Sequence, residues 1–521
     1  MIRTVLAAAL LHTAHALAPP AQALRTLAKT SGDDVRGITS PEAENALLPE
    51  SAYFVGLGFR AWLGDENTPI FVGRDPRASS DSIGEAFCRG ASALDAGPAT
   101  TPAMLESLLR GDSKACGACM VTASHLPPEW NGLKLFSAKE QRGLNKKEVK
   151  EVLGLAADLA DMMEPVSGDI ASAEAGFMDE YVEKLRNTIV ETSGISSKPL
   201  EGLKVCVNPG NGAGGFFATQ VLAPLGADVS SSINLEPDGA FPHHPANPED
   251  KKHVAATIDA VAASGADVGV MLDCDVDRCG LIDGTTPKPE PVNRNRLVAL
   301  AAQVALEDGN GVIVTDPVTS GGMTQFIEER GGTHDRFKMG YRNVIDRAAE
   351  TKPEPALLAI ETSGHSAWRS NNFVDDGCYT AAKLLGRLAK ARVSNPSCGL
   401  LDLLGGSLKE PKESIKVKMP VSSLEKVPEA EIKLCDALKA CEGATASWRM
   451  EPVNHDGLRC SVGDGDWLIA RASLHEPVVS LQMEADDAGG TAAICAAVLP
   501  YLQPFEEDID LTELEAVAKS N

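Results

Sequence analysis

Short apolar runs that end in polar loops recur along this chain, and helix-length amphipathic stretches lie between them. Pro69-Ile-Phe-Val-Gly-Arg-Asp75 reads as a buried strand running into a loop, Ser82 to Leu94 as an amphipathic helix, and Cys119-Met-Val-Thr-Ala123 as a further strand. Ala171 to Val190 has helical period. The alternation resumes with a strand at Leu203-Lys-Val-Cys-Val207, a Gly-rich turn at Asn208-Pro-Gly-Asn-Gly-Ala-Gly-Gly215, and an apolar helix from Phe216 to Leu222 that Pro224 ends. A helix over Val254 to Ser264 leads to the strand Asp267-Val-Gly-Val-Met-Leu272. A third round has a helix from Arg296, a strand Gly311 to Thr315, a helix Gly321 to Glu329 and a strand Ala356 to Ile360. Beyond Pro411 the texture changes, with strands at Ser414 to Val417 and Trp467 to Arg471 around a helix from Val427 to Cys441. This pattern predicts α/β layers in three tandem domains with parallel or mixed sheets, then a smaller α+β domain. The expected boundaries are 30–195, 196–295, 296–410 and 411–521, after a leader at 1–29.

Length and composition agree. A chain of 521 residues is too long for one core. It is 43% apolar and 23% charged, as soluble globular proteins are. Its net charge of −25 opposes a phosphate-backbone partner, so no nucleic acid is expected. A small anionic ligand remains compatible where basic side chains converge. Arg3, the apolar run Val5 to Leu11 and Ala14-His-Ala-Leu-Ala18 resemble a secretory signal, too short to span a bilayer. With the acid-poor stretch containing Arg25 and Lys29, the start resembles a two-part plastid-targeting leader; the alternative is a cytoplasmic protein with an N-terminal extension. No other membrane segment is expected. The twelve cysteines are scattered and read mostly as buried apolar residues. Cys116-Gly-Ala-Cys119 is a candidate redox pair, close before the next feature.

That feature is Val121-Thr-Ala-Ser-His-Leu-Pro-Pro-Glu-Trp-Asn-Gly-Leu-Lys134. It places the Ser124 hydroxyl beside His125 on a Pro-stiffened loop, with Lys134 following, and such a serine can carry a covalent group. Asp273-Cys-Asp-Val-Asp-Arg278 presents carboxylates at alternate positions beyond a strand, a donor set suited to Mg²⁺, and Arg278 offers a fork for phosphate or carboxylate. Glu361-Thr-Ser-Gly-His365 offers acceptors for sugar hydroxyls and a histidine that titrates near neutrality. Arg471-Ala-Ser-Leu-His-Glu-Pro477 fits a dianionic phosphate. The loops Thr30 to Gly37 and Gly73 to Ser80 read equally well as plain surface loops. The Gly-rich turn at 208–215 reads either as a phosphate cradle or as a tight connection, and Asp238 to Pro248 as a structural connection.

Together, in this order, the loops resemble those of the α-D-phosphohexomutase family, which includes phosphoglucomutases and phosphomannomutases. The family's T-A-S-H-N-P…N-G-x-K loop is matched by Thr122, Ala123, Ser124, His125, Pro127, Asn131, Gly132 and Lys134, with Leu126 departing. Its D-G-D-G-D-R loop is matched by Asp273, Asp275, Asp277 and Arg278, with Cys274 and Val276 in place of glycines. Its G-E-x-S-G-H loop is matched by Glu361, Ser363, Gly364 and His365, with Ile360 in place of the first glycine. Its R-x-S-G-T-E-P loop is matched by Arg471, Ser473, Glu476 and Pro477, with Leu474 and His475 departing. The early T-S-G-x-R-G element appears with two extra residues, ending at Arg36-Gly37.

The resemblance implies four domains around a central cleft and a mutase acting on glucose or mannose phosphates. Ser124 would carry a phosphoryl group. Asp273, Asp275, Asp277 and a phosphoserine oxygen would hold Mg²⁺, and glucose 1,6-bisphosphate would act as activator. Arg36, His125, Lys134 and His365 would handle charge and protons near Ser124. Glu361 and Ser363 would read the sugar, while Arg471, Ser473, Lys338 and Arg278 would bind substrate phosphate. Two other readings compete. Leu272 to Asp277 partly resembles the nucleophile motif of haloacid-dehalogenase phosphatases, with Asp273 as nucleophile and Asp275 as acid/base. A non-catalytic sugar-phosphate-binding descendant is the other.

Overall fold

In a computed structural model of the chain, the described residues are 20–520, apart from 111, 112, 114, 174, 175, 293, 407, 445, 446, 464, 474 and 475. The signal-like stretch at 1–19 and the departing residues Leu474 and His475 therefore lie outside the described residues. The chain divides into two compact units: Met1–Gly284 with Asp376–Ala382, and Thr285–Asp375 with Lys383–Asn521.

Unit 1 opens with α1 (Pro20–Thr30), then β1 (Val35–Ile38), α2 (Pro49–Leu63), β2 (Ile70–Arg74), α3 (Ser80–Ala91), β3 (Leu94–Pro98), α4 (Thr101–Leu109), β4 (Gly117–Val121), β5 (Trp130–Ser137), β6 (Arg142–Gly143), α5 (Lys146–Met162), β7 (Ala171–Ser172) and α6 (Phe177–Ser193). Its first sheet has the order β1-β5-β4-β2-β3-β7, with β6 on β5. Strands β2, β3 and β4 run parallel, while β5 is antiparallel to both β4 and β1. The strand at β2 and the feed into the Ser124 loop stand where the apolar runs placed them. The helix expected over Ser82–Leu94 runs instead from Ser80 to Ala91, where Ser92 turns left-handed (φ 48°) and Leu94 starts β3. The helix expected from Ala171 begins at Phe177.

The leader boundary at residue 29 is too late for this fold. Leu24 and Leu27 on α1 are fully buried in the first core, with Phe54, Val149 and Val152. Helices α2 and α3 cross with almost no space between backbones. A Cβ at Gly90 would stand 1.9 Å from the Tyr53 carbonyl oxygen, so only glycine permits that approach.

The rest of unit 1 contains β8 (Val205–Asn208), α7 (Lys251–Ser264), β9 (Val268–Leu272) and β10 (Cys279–Asp283). Strands β8 and β9 are parallel, and β10 returns antiparallel to β9. The apolar helix expected over Phe216–Leu222 is a π-helical turn, Phe217–Leu222. The apolar strand β9 is buried throughout and delivers Asp273 at its end.

Unit 2 contains β11 (Glu290–Val292), α8 (Arg294–Glu307), β12 (Val312–Thr315), α9 (Gly322–Glu328), β13 (Thr333–Arg336), α10 (Tyr341–Glu350), β14 (Leu358–Ile360), β15 (Ser366–Trp368) and α11 (Gly377–Arg392), whose first turns belong to unit 1. Parallel β13-β12-β14 carry β15 antiparallel at the edge. A second, wholly antiparallel sheet follows: β16 (Glu413–Pro420), β17 (Arg449–Met450), β18 (Leu458–Ser461), β19 (Trp467–Ala472) and β20 (Val478–Ala485), in the order β16-β20-β19-β18-β17. Helices α12 (Val427–Ala444) and α13 (Gly490–Leu502) pack on it around Leu434, Leu438, Leu481 and Val498. α14 (Thr512–Ala518) closes the chain. This is the smaller α+β domain that the change of texture beyond Pro411 predicts. No described helix is long and apolar enough to cross a membrane.

Candidate functional site

In unit 1 the serine and aspartate loops meet. Strand β4 ends at Val121, and the loop after it holds Ser124 in a left-handed backbone (φ 51°). Its Oγ donates to Asp273 Oδ2 at 2.9 Å and lies 3.3 Å from His125 Nδ1. Ser124 is 5% exposed, whereas His125 is open to solvent. Arg36 reaches the same loop through a hydrogen bond to the Thr122 carbonyl, and its other nitrogen pairs with Asp34 at 3.0 Å. That placement follows from β1 pairing with β5, where Arg36 stands opposite Gly132.

Asp273, Asp275 and Asp277 are all fully buried, with ligand atoms within 4.8 Å of one another. The buried Asp275 Oδ1 has no hydrogen-bond partner among the described residues. Lys134 Nζ pairs with Asp275 Oδ2 at 2.8 Å and with Asp277. Arg278 Nε donates to Asp273 Oδ2 at 3.0 Å. Burial opposes the charge on Arg278, but Asp273 and Asp277 outweigh it and its pKa is raised. Three carboxylates against two cations leave one net negative charge in a dry, oxygen-lined loop. That donor set suits a hard cation such as Mg²⁺.

The structure adds detail on Arg278 and corrects three other expectations here. Arg278, expected to bind substrate, is 2% exposed and pairs through Nε with Asp273, with Glu249 at 3.5 Å, while its Nη2 has no hydrogen-bond partner among the described residues. The Gly-rich turn at 208–215 cradles the aspartate loop rather than a phosphate. A Cβ at Gly212 would stand 2.6 Å from the Cα of Cys274, and Ala213 N–H donates to the Cys274 carbonyl. Cys116 and Cys119 do not form a poised pair. Cys119 lies in β4 and Cys116 just before it, and residues three apart on an extended chain face opposite ways roughly 10 Å apart, beyond disulfide reach. The Gly73–Ser80 loop is no surface loop, because the Arg77 and Asp75 side chains are completely buried.

Of the two residues standing for glycines in the aspartate loop, Val276 adopts φ 76°, a region that costs a β-branched residue on the order of 1–3 kcal/mol. It is fully buried, and its carbonyl accepts from Gly377 N–H, which holds it there. Cys274 does not take a positive φ.

Unit 2 gathers the other predicted residues. Glu361 follows β14, is 5% exposed, and accepts from Gly340 N–H at 2.6 Å and Ser363 Oγ at 3.2 Å. Burial, reinforced by the charge of Asp316, pushes its carboxyl up to about 7. His365 Nδ1 pairs with Asp375 Oδ2 at 2.7 Å, and the ring stacks on Tyr341 at 5.0 Å. Arg471, on β19, pairs with Asp456 at 2.8 Å and lies 3.0 Å from Met339 Sδ. Met339 N–H also donates to Asp456, so the loop that exposes Lys338 is tied to β19. Ser473 Oγ accepts from Glu476 N–H. The Glu361 loop, the Lys338 loop and the Arg471 strand thus share contacts at residues 339–340. The sequence reading missed Asp375, Asp456 and Arg77; only Asp375, ten residues from His365, had a local cue, as a carboxylate able to fix a histidine tautomer.

Three models of one family match this chain: phosphoglucomutase/phosphomannomutase alpha/beta/alpha domain I over residues 28–154, domain II over 179–288 and domain III over 293–399. The chain is 29% identical over 464 residues to a phosphomannomutase/phosphoglucomutase of Pseudomonas putida, covering 87% of this chain and 90% of that protein. It is 29% identical over 466 residues to a phosphoglucomutase/phosphomannomutase of Thermococcus kodakarensis, covering 87% and 93%. The crystal structure of a phosphoglucomutase/phosphomannomutase family protein from Burkholderia thailandensis superposes with a TM-score of 0.75 at 26% identity, covering 92% of this chain and 97% of that one. With its serine loop and acidic triad in place, this chain belongs to the phosphoglucomutase/phosphomannomutase family, the α-D-phosphohexomutases.

Proposed function

We propose that this chain is a phosphohexomutase that interconverts hexose 1-phosphate and hexose 6-phosphate, of glucose, mannose or both, through a phosphoserine at Ser124. The observation that carries this reading is Ser124 Oγ, held by a left-handed backbone 2.9 Å from the buried triad. A serine there is a better phosphoryl carrier than Asp273, whose Oδ2 is taken by both Ser124 and Arg278. The phosphatase reading, which needs Asp273 as nucleophile, loses support for that reason.

In the proposed reaction the Ser124 phosphoryl group moves to the free hydroxyl of the sugar monophosphate, giving a hexose 1,6-bisphosphate. That intermediate reorients, and its other phosphate returns to Ser124. Asp273, Asp275 and Asp277 would hold Mg²⁺, which supplies neutralisation of the charge that develops on the transferring group. Arg36 and Lys134 provide fixed positive charge at the serine loop, and His125 offers a nitrogen 3.3 Å from Oγ for the proton. Asp375 holds the His365 ring through Nδ1, which orients the imidazole for proton or phosphate handling. Glu361 and Ser363 read sugar hydroxyls; Lys338, Arg471 and Ser473 hold the remote phosphate. Glucose 1,6-bisphosphate acts as activator by charging Ser124.

The test is conversion of glucose 1-phosphate with Mg²⁺ and glucose 1,6-bisphosphate, beside Ser124→Ala. Formation of glucose 6-phosphate that disappears in the variant supports the reading. Activity that survives Ser124→Ala overturns it. An inert protein on both glucose and mannose 1-phosphate would instead mark a non-catalytic sugar-phosphate binder. We also propose that residues before Pro20 form a plastid-targeting leader, on the strength of the basic, apolar and small-residue pattern from Arg3 to Ala18. A fluorescent protein fused behind residues 1–30 should enter plastids; cytoplasmic fluorescence would refute this.

A further inference from the structure

Two catalytic loops from different sheets must stay in register for Ser124 Oγ to face Asp273, and one buried cluster connects them. Arg77 sends Nη1 to the Pro127 and Trp130 carbonyls at 2.7 and 3.1 Å, and Nη2 to the Ser124 and Leu126 carbonyls at 2.5 and 2.7 Å. Its Nε goes to Asp75 Oδ2 at 3.0 Å. The guanidinium fork thus gathers four carbonyls of the serine loop around one charge. The same Asp75 Oδ2 accepts the Cys274 thiol at 3.3 Å, and Asp75 Oδ1 accepts Ser80 Oγ at 2.7 Å. Behind the cluster, Phe241 lies 5.1 Å under the Arg77 guanidinium, and Gly239 packs on the Pro76–Arg77 backbone. That contact gives the Asp238–Pro248 loop its structural role.

We infer that Cys274, acting through Asp75 and Arg77, is a positioning residue that ties the aspartate loop to the serine loop. The inference rests on the phosphohexomutase reading for its kinetic consequences. Its physical basis is independent. Ser124 sits at φ 51°, a strained conformation for a non-glycine residue that persists only when surroundings enforce it. Arg77 enforces it from the carbonyl side. Cys274 lies between two aspartates of the triad, so any shift of that loop loads Asp75 Oδ2, the oxygen that also orients Arg77. In that link the Cys274 thiol is the donor and Asp75 Oδ2 the acceptor. A glycine at this position has no side chain with which to make the link.

The test uses the full chain with Cys274→Ala, Cys274→Ser and Arg77→Lys. Two readouts are taken: steady-state kinetics normalised to phosphorylated Ser124, and amide hydrogen exchange of residues 122–132. Loss of one thiol-to-carboxylate hydrogen bond should lower kcat about three- to tenfold in Cys274→Ala, with KM changed less than about twofold. Exchange in the serine loop should quicken. Cys274→Ser, which keeps a donor, should recover most of both. Arg77→Lys, which loses the fork, should cost more than Cys274→Ala. Wild-type kinetics and exchange in Cys274→Ala, or a serine variant no better than alanine, would overturn the inference. An inactive wild-type chain would sink the phosphohexomutase reading, and the exchange experiment would still decide whether the two loops are coupled.

Discussion

Replacing Lys134 with methionine removes one of the two cations that face the three aspartates while nearly keeping the side chain's shape. Lys134 is 3% exposed, and its Nζ stands 2.8 Å from Asp275 Oδ2. At an effective dielectric constant of about 20, one such pair is worth about 6 kcal/mol of direct attraction. The cost of burying both charges offsets part of that. Leaving the carboxylates under-compensated should therefore cost about 3–5 kcal/mol net, equivalent to roughly 6–10 °C in the melting of a body this size. The same change takes the triad and its cations from one net negative charge to two, so a divalent cation should bind more tightly and rescue more. Thermal melts of wild type and Lys134→Met, each in EDTA and in saturating MgCl₂, measure both effects. The variant should melt lower in EDTA and gain more from Mg²⁺ than the wild type does. Equal Mg²⁺ shifts in the two proteins would refute the placement of Lys134 as counter-charge to a metal-holding triad.

Three further outcomes are expected. Asp376, buried beside Tyr181 in unit 1, is pushed up to about 7 by burial and then by the charge of Glu106, from an ordinary 3.8. Protonated Asp376 is favoured in the fold, so its contribution is full below about pH 4 and lost as pH rises through 7. Asp376→Asn keeps an oxygen for Tyr181 and Tyr379 and should be more stable than wild type at pH 8 but not at pH 4; parallel denaturation midpoints at the two pH values would contradict this. A chain started at residue 30 should lose several kcal/mol relative to one started at residue 20, at about 1.5–3 kcal/mol for each of Leu24 and Leu27; equal urea midpoints would refute the packing of α1. Glu361 is likewise raised to about 7 by burial, so if its carboxylate reads sugar hydroxyls, KM should rise as pH falls below 7 and Glu361→Gln should lose that dependence; an unchanged pH profile would remove Glu361 from sugar recognition.

What the sequence carried and what it hid divide along physical lines. The apolar strands β2, β4, β9, β12 and β14 are short, buried runs that end at polar loops, so both the strands and the chemistry at their ends were legible. Helix α2 was not, because Ser51 through Val55 and Phe59 are all buried and leave no polar face to set a period. The apolar pattern does not mark helices α5, α10 and α11 either, although Asn145 caps α5 with a capping box. Arg77 could not be read locally. An arginine in a Gly-Arg-Asp-Pro-Arg loop looks solvent-facing until the carbonyls of residues 124, 126, 127 and 130 fold around it. Arg278 has a role that was equally hidden: a phosphate-binding fork and a buried counter-charge have the same local sequence, and its pairing with the buried Asp273 emerges only in the fold.

The central claim is that Ser124 carries the phosphoryl group. The most direct measurement is peptide mass spectrometry of the intact chain after incubation with Mg²⁺ and glucose 1,6-bisphosphate, with hexose monophosphate then added. The account predicts a single phosphate on Ser124 that is passed to glucose or mannose monophosphate and is absent from Ser124→Ala. Phosphate on Asp273, on another serine, or on no residue while turnover continues would contradict it.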